Sequence, residues 1–307
     1  MSGATTETTA ELRRSREIAV PVVLLGTLAW SVGPLFVRSM STSGFTTALF
    51  RMWIGAPVMM VAARLFGRPL TWPVLRMTIV PGVFFGGSMT MGFQAVHGTS
   101  IANATLIGSL TPALLLLGAN RLMGERVDLR RVPYAVLAIA GLVVLVLSGA
   151  NTEGSGLAGD LWAMGNLVCF TAYFMILKRR RDANIDGWSF LAGVFLTGAV
   201  VITPFCLIMS DDLGWLRGAD WLRISVMVLG PGVVGHGLIT WASRHLPVTT
   251  VSLLTLVSPV LTVVGAWVVF DESLVAGQFA GAAMVFAGLV GSVRGAPTVP
   301  EVVAEHP

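Results

Sequence analysis

Apolar positions along the chain come in long unbroken runs, without the strict alternation of a half-buried strand. Ten such runs stand at 18–38, 44–66, 75–96, 99–121, 130–149, 158–177, 187–209, 220–242, 247–270 and 274–293. About 20 residues of α-helix rise roughly 30 Å, the thickness of a bilayer's hydrocarbon core. The runs are apolar on every face, so the helices they form have no polar side to offer water. Outer-membrane strands would instead alternate over about ten residues. The pattern predicts an all-α membrane protein with ten transmembrane helices.

The runs also repeat. "LTPALLLLGANRLMGE" (Leu110 to Glu125) and "VSPVLTVVGAWVVFDE" (Val257 to Glu272) share Pro112/Pro259, Leu114/Leu261, Gly118/Gly265, Ala119/Ala266 and Glu125/Glu272 at one constant offset of 147. The offset persists, since "AGLV" at Ala140 to Val143 returns at Ala287 to Val290. Spans three and eight carry "PGVFFG" (Pro81 to Gly86) and "PGVVGH" (Pro231 to His236). The chain therefore divides into a polar tail 1–17, a first repeat 18–149, a linker 150–157, a second repeat 158–293 and a tail 294–307. Five helices per repeat is an odd number, so the second copy enters the membrane from the opposite side. Inverted repeats of this kind are characteristic of secondary transporters, because two equivalent halves give two packings open to opposite sides.

Composition agrees with a lipid environment: 54% of residues are hydrophobic and 12% charged, against about 25% charged in soluble domains. The pI of about 9.8 does not point to nucleic acid, because the basic residues lie at segment ends and in loops, not on one polar face. With the N-terminus in the cytoplasm, 16 of the 20 Lys and Arg residues fall inside and only Arg38, Arg217 and Arg223 outside, with Arg51 embedded. The positive-inside rule thus places both termini of a multi-pass membrane protein in the cytoplasm. Arg13, Arg14 and Arg16 precede an apolar run longer than a signal-peptide core and without a small-residue cleavage site, so this run stays attached as the first span. Cys169 and Cys206 fall in separate spans with no metal-like spacing, so neither disulfide nor cluster is expected.

All 16 acidic residues lie in tails, loops or span ends, so no buried mid-membrane carboxylate is available to carry a proton or sodium ion. Arg51 is the one basic residue well inside a span. It can hold a substrate carboxylate or organise the bundle while its stem snorkels outward. His236, flanked by Pro231, Gly232, Gly235 and Gly237, belongs to the residue type that changes charge around neutral pH; it can serve gating or proton coupling, or simply bond a neighbouring carbonyl. Polar residues at helical spacing mark span four (Asn103, Thr105, Ser109, Thr111) and span nine (Ser252, Thr255, Ser258, Thr262); such faces either line a wet cavity or glue helices together. Trp30 and Trp241 lie deeper than the interfacial aromatics and can stack on a substrate. Pro112 and Pro259 are expected hinges, and Glu125 and Glu272 expected caps, each at the start of the helix that follows it. His97, His245 and His306 do not cluster, so no metal is expected, and no cofactor-binding or catalytic motif appears.

The chain resembles the EamA-type members of the drug/metabolite transporter superfamily over about residues 20 to 293. The resemblance rests on "ALFRMWIGAPVMM" (Ala48 to Met60), the proline-bearing spans four and nine ending in Gly124-Glu125 and Asp271-Glu272, and the Gly-rich spans five and ten. It implies a ten-helix inner-membrane carrier of small metabolites, commonly an exporter, with a central cavity between its repeats. The expected partners are a small-molecule substrate and the lipid bilayer, with proton antiport, uniport or exchange as the energetic alternatives. A flippase for lipid-linked substrates is the main rival, followed by a membrane-embedded enzyme or a scaffold.

Overall fold

The computed structural model describes residues 18–111, 114, 132–149, 156–180, 185–214, 216–242, 246, 251, 254–255, 257–272 and 274–294. Every regular element among them is a helix. The first repeat supplies α1 (Ile18–Arg38), α2 (Gly44–Phe66), α3 (Ile79–Gly98), α4 (Ile101–Gly108) and α5 (Val132–Gly149). The second supplies α6 (Leu157–Arg180), α7 (Gly187–Met209), α8 (Asp220–Ala242), α9 (Val257–Phe270) and α10 (Ala276–Arg294). A short helix, Trp72–Met77, leads into α3.

Helices α1, α2, α3, α7 and α8 are each long and apolar enough to cross a membrane on their own. Their boundaries follow from local chemistry. Ser43, Ser100 and Asp186 sit at the N-caps of α2, α4 and α7, and each side chain accepts the backbone N–H three residues on; such caps satisfy donors that the first turn leaves orphaned. Two helices are irregular midway. Helix α1 breaks at Val32 and restarts at Gly33-Pro34, where the proline ring cannot continue the preceding turn. Helix α8 carries a π-helical stretch, Val228–Gly235, around Pro231, which has no N–H to donate.

Apolar side chains cover the outside as well as the inside. Leu65, Phe66, Leu147, Leu157, Val168, Ile208 and Val268 are all more than half exposed, a surface that only lipid solvates without penalty. Inside, Met52, Met59, Phe85 and Phe195 are fully buried where α2, α3 and α7 meet. Small residues let these helices approach: a Cβ on Gly86 of α3 would stand 3.0 Å from the Gly198 carbonyl of α7, and one on Gly98 would stand 2.9 Å from the Gly159 Cα of α6. Close backbone approach of this kind takes over from the hydrophobic effect, which lipid cannot supply between helices.

Contacts across the repeats obey a pseudo-twofold. Helix α2 packs on α7, α4 on α9 and α5 on α10, each pair mapping onto itself when the repeats are exchanged. The α3–α6 pair maps onto α8–α1, where Gly26 meets Ile239. Likewise α4–α6 maps onto α9–α1, and α3–α7 onto α8–α2. The relation is an inversion. Arg38, ending α1, donates to the Val96 carbonyl near the end of α3 at 2.9 Å, and Thr99 beside it donates to Asp160 in the first turn of α6 at 2.8 Å. Helix α6 therefore begins at the end of the bundle where α1 finishes, so the halves run in opposite senses, as an odd helix number requires.

Candidate functional site

The two irregular helices face one another. Trp30 Nε1 donates to the Pro231 carbonyl at 3.2 Å, and Gly33 lies against the Pro231 ring. Beside this contact is a cavity of about 220 Å³. From the first repeat it is lined by Trp30, Gly33, Pro34 and Val37 of α1, Arg51 of α2, Ser88, Met89, Gly92, Phe93 and Val96 of α3, and Ala104, Thr105 and Gly108 of α4. From the second repeat come Asn166 and Phe170 of α6 and Met227, Pro231 and His236 of α8. Both halves thus build one chamber, and the irregular stretches of α1 and α8 form part of its wall.

The wall is mostly apolar, with a few polar groups. Arg51 is 5% exposed. Its Nη1 lies 2.7 Å from the Met89 sulfur, its guanidinium carbon 5.2 Å from the Phe93 ring centre, and its Nε has no hydrogen-bond partner. Thr105 Oγ1 is likewise buried without a partner. Ser88 donates to Asn166 Oδ1 at 2.7 Å. The His236 ring meets Trp30 edge-on at 5.0 Å and Phe85 at 5.8 Å. No Asp or Glu stands among the described lining residues, so the one fixed charge in the chamber is positive.

At the end of the bundle where α1 finishes, polar contacts tie the repeats together. Asp220 accepts from the Ser41 amide at 3.3 Å and from the Ser41 hydroxyl, and pairs with Arg223 at 2.7 Å. Asp212 accepts from the Ser43 hydroxyl at 2.7 Å, the Ser43 amide at 2.5 Å, the Thr46 hydroxyl at 2.5 Å and the Ser210 hydroxyl at 2.8 Å. Partial burial pushes the Asp212 carboxyl up, but these hydrogen bonds outweigh it and hold the group below its ordinary value. Asp160 accepts from Thr99 and, at 3.4 Å, from Asn103, whose amide oxygen in turn accepts from Gln278 at 2.7 Å. The opposite end is tied by Asp186, which accepts from the Arg68 amide at 3.2 Å, and by Ser189, whose hydroxyl donates to the Arg68 carbonyl.

Among the residues singled out from the sequence, Trp30, Arg51, Thr105 and His236 meet at the cavity. Asn103 is fully buried in the Asp160–Gln278 network, and the Ser109 hydroxyl turns back to the Leu106 carbonyl at 2.6 Å. Thr262 of the span-nine stripe donates to the Ser31 carbonyl at 2.8 Å, gluing α9 to α1. Thr255 is half-buried, and Trp241 is 39% exposed on α8 away from the chamber. Pro259 is buried within α9. Pro112, Glu125 and Ser252 lie outside the described residues.

Glu272 is a helix cap, but of a different helix from the one that follows it. Its carboxylate accepts from the amides of Ile101 at 3.0 Å and Ala102 at 3.4 Å, so the helix start it caps is α4 of the other repeat and not α10. Sequence spacing gives the next helix as the nearest partner, whereas the fold brings Glu272 over the start of α4. Ser88, Asn166 and Phe170 were also not singled out from the sequence. Asn166 carried a signal, an amide in the middle of an apolar run.

The chain is similar to known transporters over most of its length. It is 29% identical to the aromatic amino acid exporter YddG of Ancylobacter novellus, over 81% of this chain and 87% of that protein. It is 24% identical to the threonine/homoserine exporter RhtA of Salmonella typhimurium, over 72% and 73%. A solved crystal structure at 24% identity superposes with a TM-score of 0.62, covering 89% of this chain and 96% of that one, and shares its fold. The model of the EamA-like transporter family matches twice, at 17–147 and at 157–294. The chain therefore belongs to the EamA-like transporter family, a multi-pass membrane protein built from two copies of one repeat.

Proposed function

We propose that the protein is a secondary transporter that exports small organic metabolites, amino acids and related compounds first among them, by alternating access between two inverted five-helix repeats. The observation that carries the reading is the chamber shared by both repeats, with a buried guanidinium and two irregular helices at its wall. Its volume of about 220 Å³ falls below the roughly 300–1,000 Å³ of sites for drug-sized ligands, which favours a compact metabolite over a bulky drug or a lipid-linked substrate. The names of the two exporters above support the same class of cargo.

Arg51, Thr105, His236 and Trp30 contact the substrate in this reading, and no catalytic step is assigned to the protein. The polar contacts at Ser41, Asp212, Asp160 and Glu272 form the outer gate in this reading, and the excess of basic residues around the opposite loops supports a cytoplasmic position for that side, with the protein in the inner membrane. Rocking of one repeat against the other opens one gate as it closes the other. The test is purified protein in liposomes, offered a panel of labelled amino acids and amphipathic drugs with and without a pH gradient. Protein-dependent movement of amino acids is expected. Movement of drugs alone, or of no compound, overturns the assignment, and a rate set by the pH gradient identifies proton coupling.

A further inference from the structure

Arg51 is buried in the bundle, yet the described protein gives it no anion. Its contacts are a thioether and an aromatic face, both weak acceptors. A buried charge without a counter-charge is costly, and at this position the guanidinium is part of the wall of the substrate chamber. The other polar groups point the same way. Ser88 engages the Asn166 carbonyl oxygen, so the part of that amide left to offer is its pair of N–H donors, and Thr105 adds a hydroxyl that can donate. Among the described lining side chains the acceptors on offer are the Thr105 hydroxyl and the His236 imidazole, and none is a carboxylate. Around them Trp30, Phe93 and Phe170 provide aromatic surface.

We infer that the chamber recognises its substrate by a carboxylate held at Arg51 and an apolar or aromatic body, and that it does not read an α-ammonium group. The inference rests on the reading of this chamber as the substrate site. It places amine-free organic acids among the substrates, alongside amino acids that share their carboxylate. A bare amine is excluded twice, by the positive charge of Arg51 and by the lack of a carboxylate among the described wall residues. A site whose polar groups match one end of a ligand rejects the analogue that lacks that end more strongly than it rejects a change elsewhere.

The experiment compares phenylalanine, 3-phenylpropionate and phenethylamine, measuring binding by calorimetry to the purified protein and transport separately in liposomes. The two carboxylates are expected to bind within about threefold of each other, and phenethylamine at least tenfold more weakly, a difference of about 1.4 kcal/mol. Arg51→Gln should weaken both carboxylates by tenfold or more, while Arg51→Lys, which keeps the charge without the planar fork, should lose less. Should Arg51→Gln fail to fold, Asn166→Asp tests the same point: a fixed carboxylate on the wall should weaken both acids and strengthen phenethylamine. Equal or tighter binding of phenethylamine overturns the inference, as does an unchanged ranking in Asn166→Asp. Full competition by chloride at matched concentration also overturns it, by showing a site for inorganic anions only. The expected binding order without any transport leaves the inference standing and overturns the carrier reading. Transport of phenethylamine but not 3-phenylpropionate does the reverse.

Discussion

Replacing Glu272 by Ala removes a side chain of the second repeat that holds the start of α4 in the first. The carboxylate takes two backbone N–H groups, at 3.0 and 3.4 Å, at a helix N-terminus where the dipole favours negative charge. Net hydrogen bonds to a charged group contribute about 1.5–3 kcal/mol each, but Glu272 is partly exposed. We therefore assign the pair about 2 kcal/mol in total, or about 30-fold in an equilibrium constant. If this contact belongs to the outer gate, the outward-open population rises by that factor, as long as it starts small. The assay uses a single cysteine at Val96, buried on the chamber wall, with Cys169 and Cys206 replaced. A membrane-impermeant thiol reagent added from outside should modify Val96→Cys about 30-fold faster when Glu272 is Ala, since the rate follows the open fraction. Glu272→Gln, which keeps one acceptor and loses the charge, should fall between. A folded Glu272→Ala variant with the labelling rate of its parent would refute the gate assignment and leave the contact purely structural.

Asp212 gives a pH signature. Its folded-state value lies below the ordinary 3.8, so the stability it contributes is fully present above about pH 3.8 and is lost as pH falls through that lower value. The melting temperature of the parent should drop more steeply below pH 4 than that of Asp212→Asn, and parallel curves would contradict the hydrogen-bonding account. Gly86→Ala puts a Cβ 2.7 Å from Ile202 Cγ2 at the α3–α7 contact; overpacking should cost about 1–3 kcal/mol, read as a lowered melting temperature in detergent. An unchanged melting temperature there would show that the helices part freely. For topology, a periplasmic reporter inserted between Asp212 and Gly214 should be active and one fused after Pro307 silent, and the opposite pattern would invert the proposed orientation.

The architecture was legible because lipid imposes a simple rule on sequence. The apolar runs had to be helices, and the constant offset linking Pro112 with Pro259 and Glu125 with Glu272 exposed the duplication and its odd helix count. Partners across the bundle were harder to read, for a physical reason. A side chain's neighbours depend on how helices cross, and sequence spacing reports only neighbours on the same helix. Glu272 illustrates this: its chemistry as a helix cap was readable, whereas the helix it caps lies some 170 residues away. The polar stripes divide for the same reason. Thr105 opens on the chamber, but Ser109 bonds to its own helix and Thr262 ties α9 to α1, three outcomes for hydroxyls that look alike in sequence. The π-helical stretch of α8 left only its Gly-Pro-Gly composition as a clue, and Ser88 and Phe170 left none.

Counterflow tests the carrier claim most directly. Liposomes containing the protein are loaded with an excess of unlabelled phenylalanine and diluted into a trace of the labelled compound. A chamber exposed to one side at a time exchanges one molecule for another, so the label should accumulate transiently above its external concentration and then drain as the gradient collapses. An alternating-access carrier predicts that overshoot, weakened in Arg51→Gln. Monotonic equilibration without overshoot would mean a continuous pore, and no protein-dependent uptake would mean that the chamber does not carry this class of substrate at all.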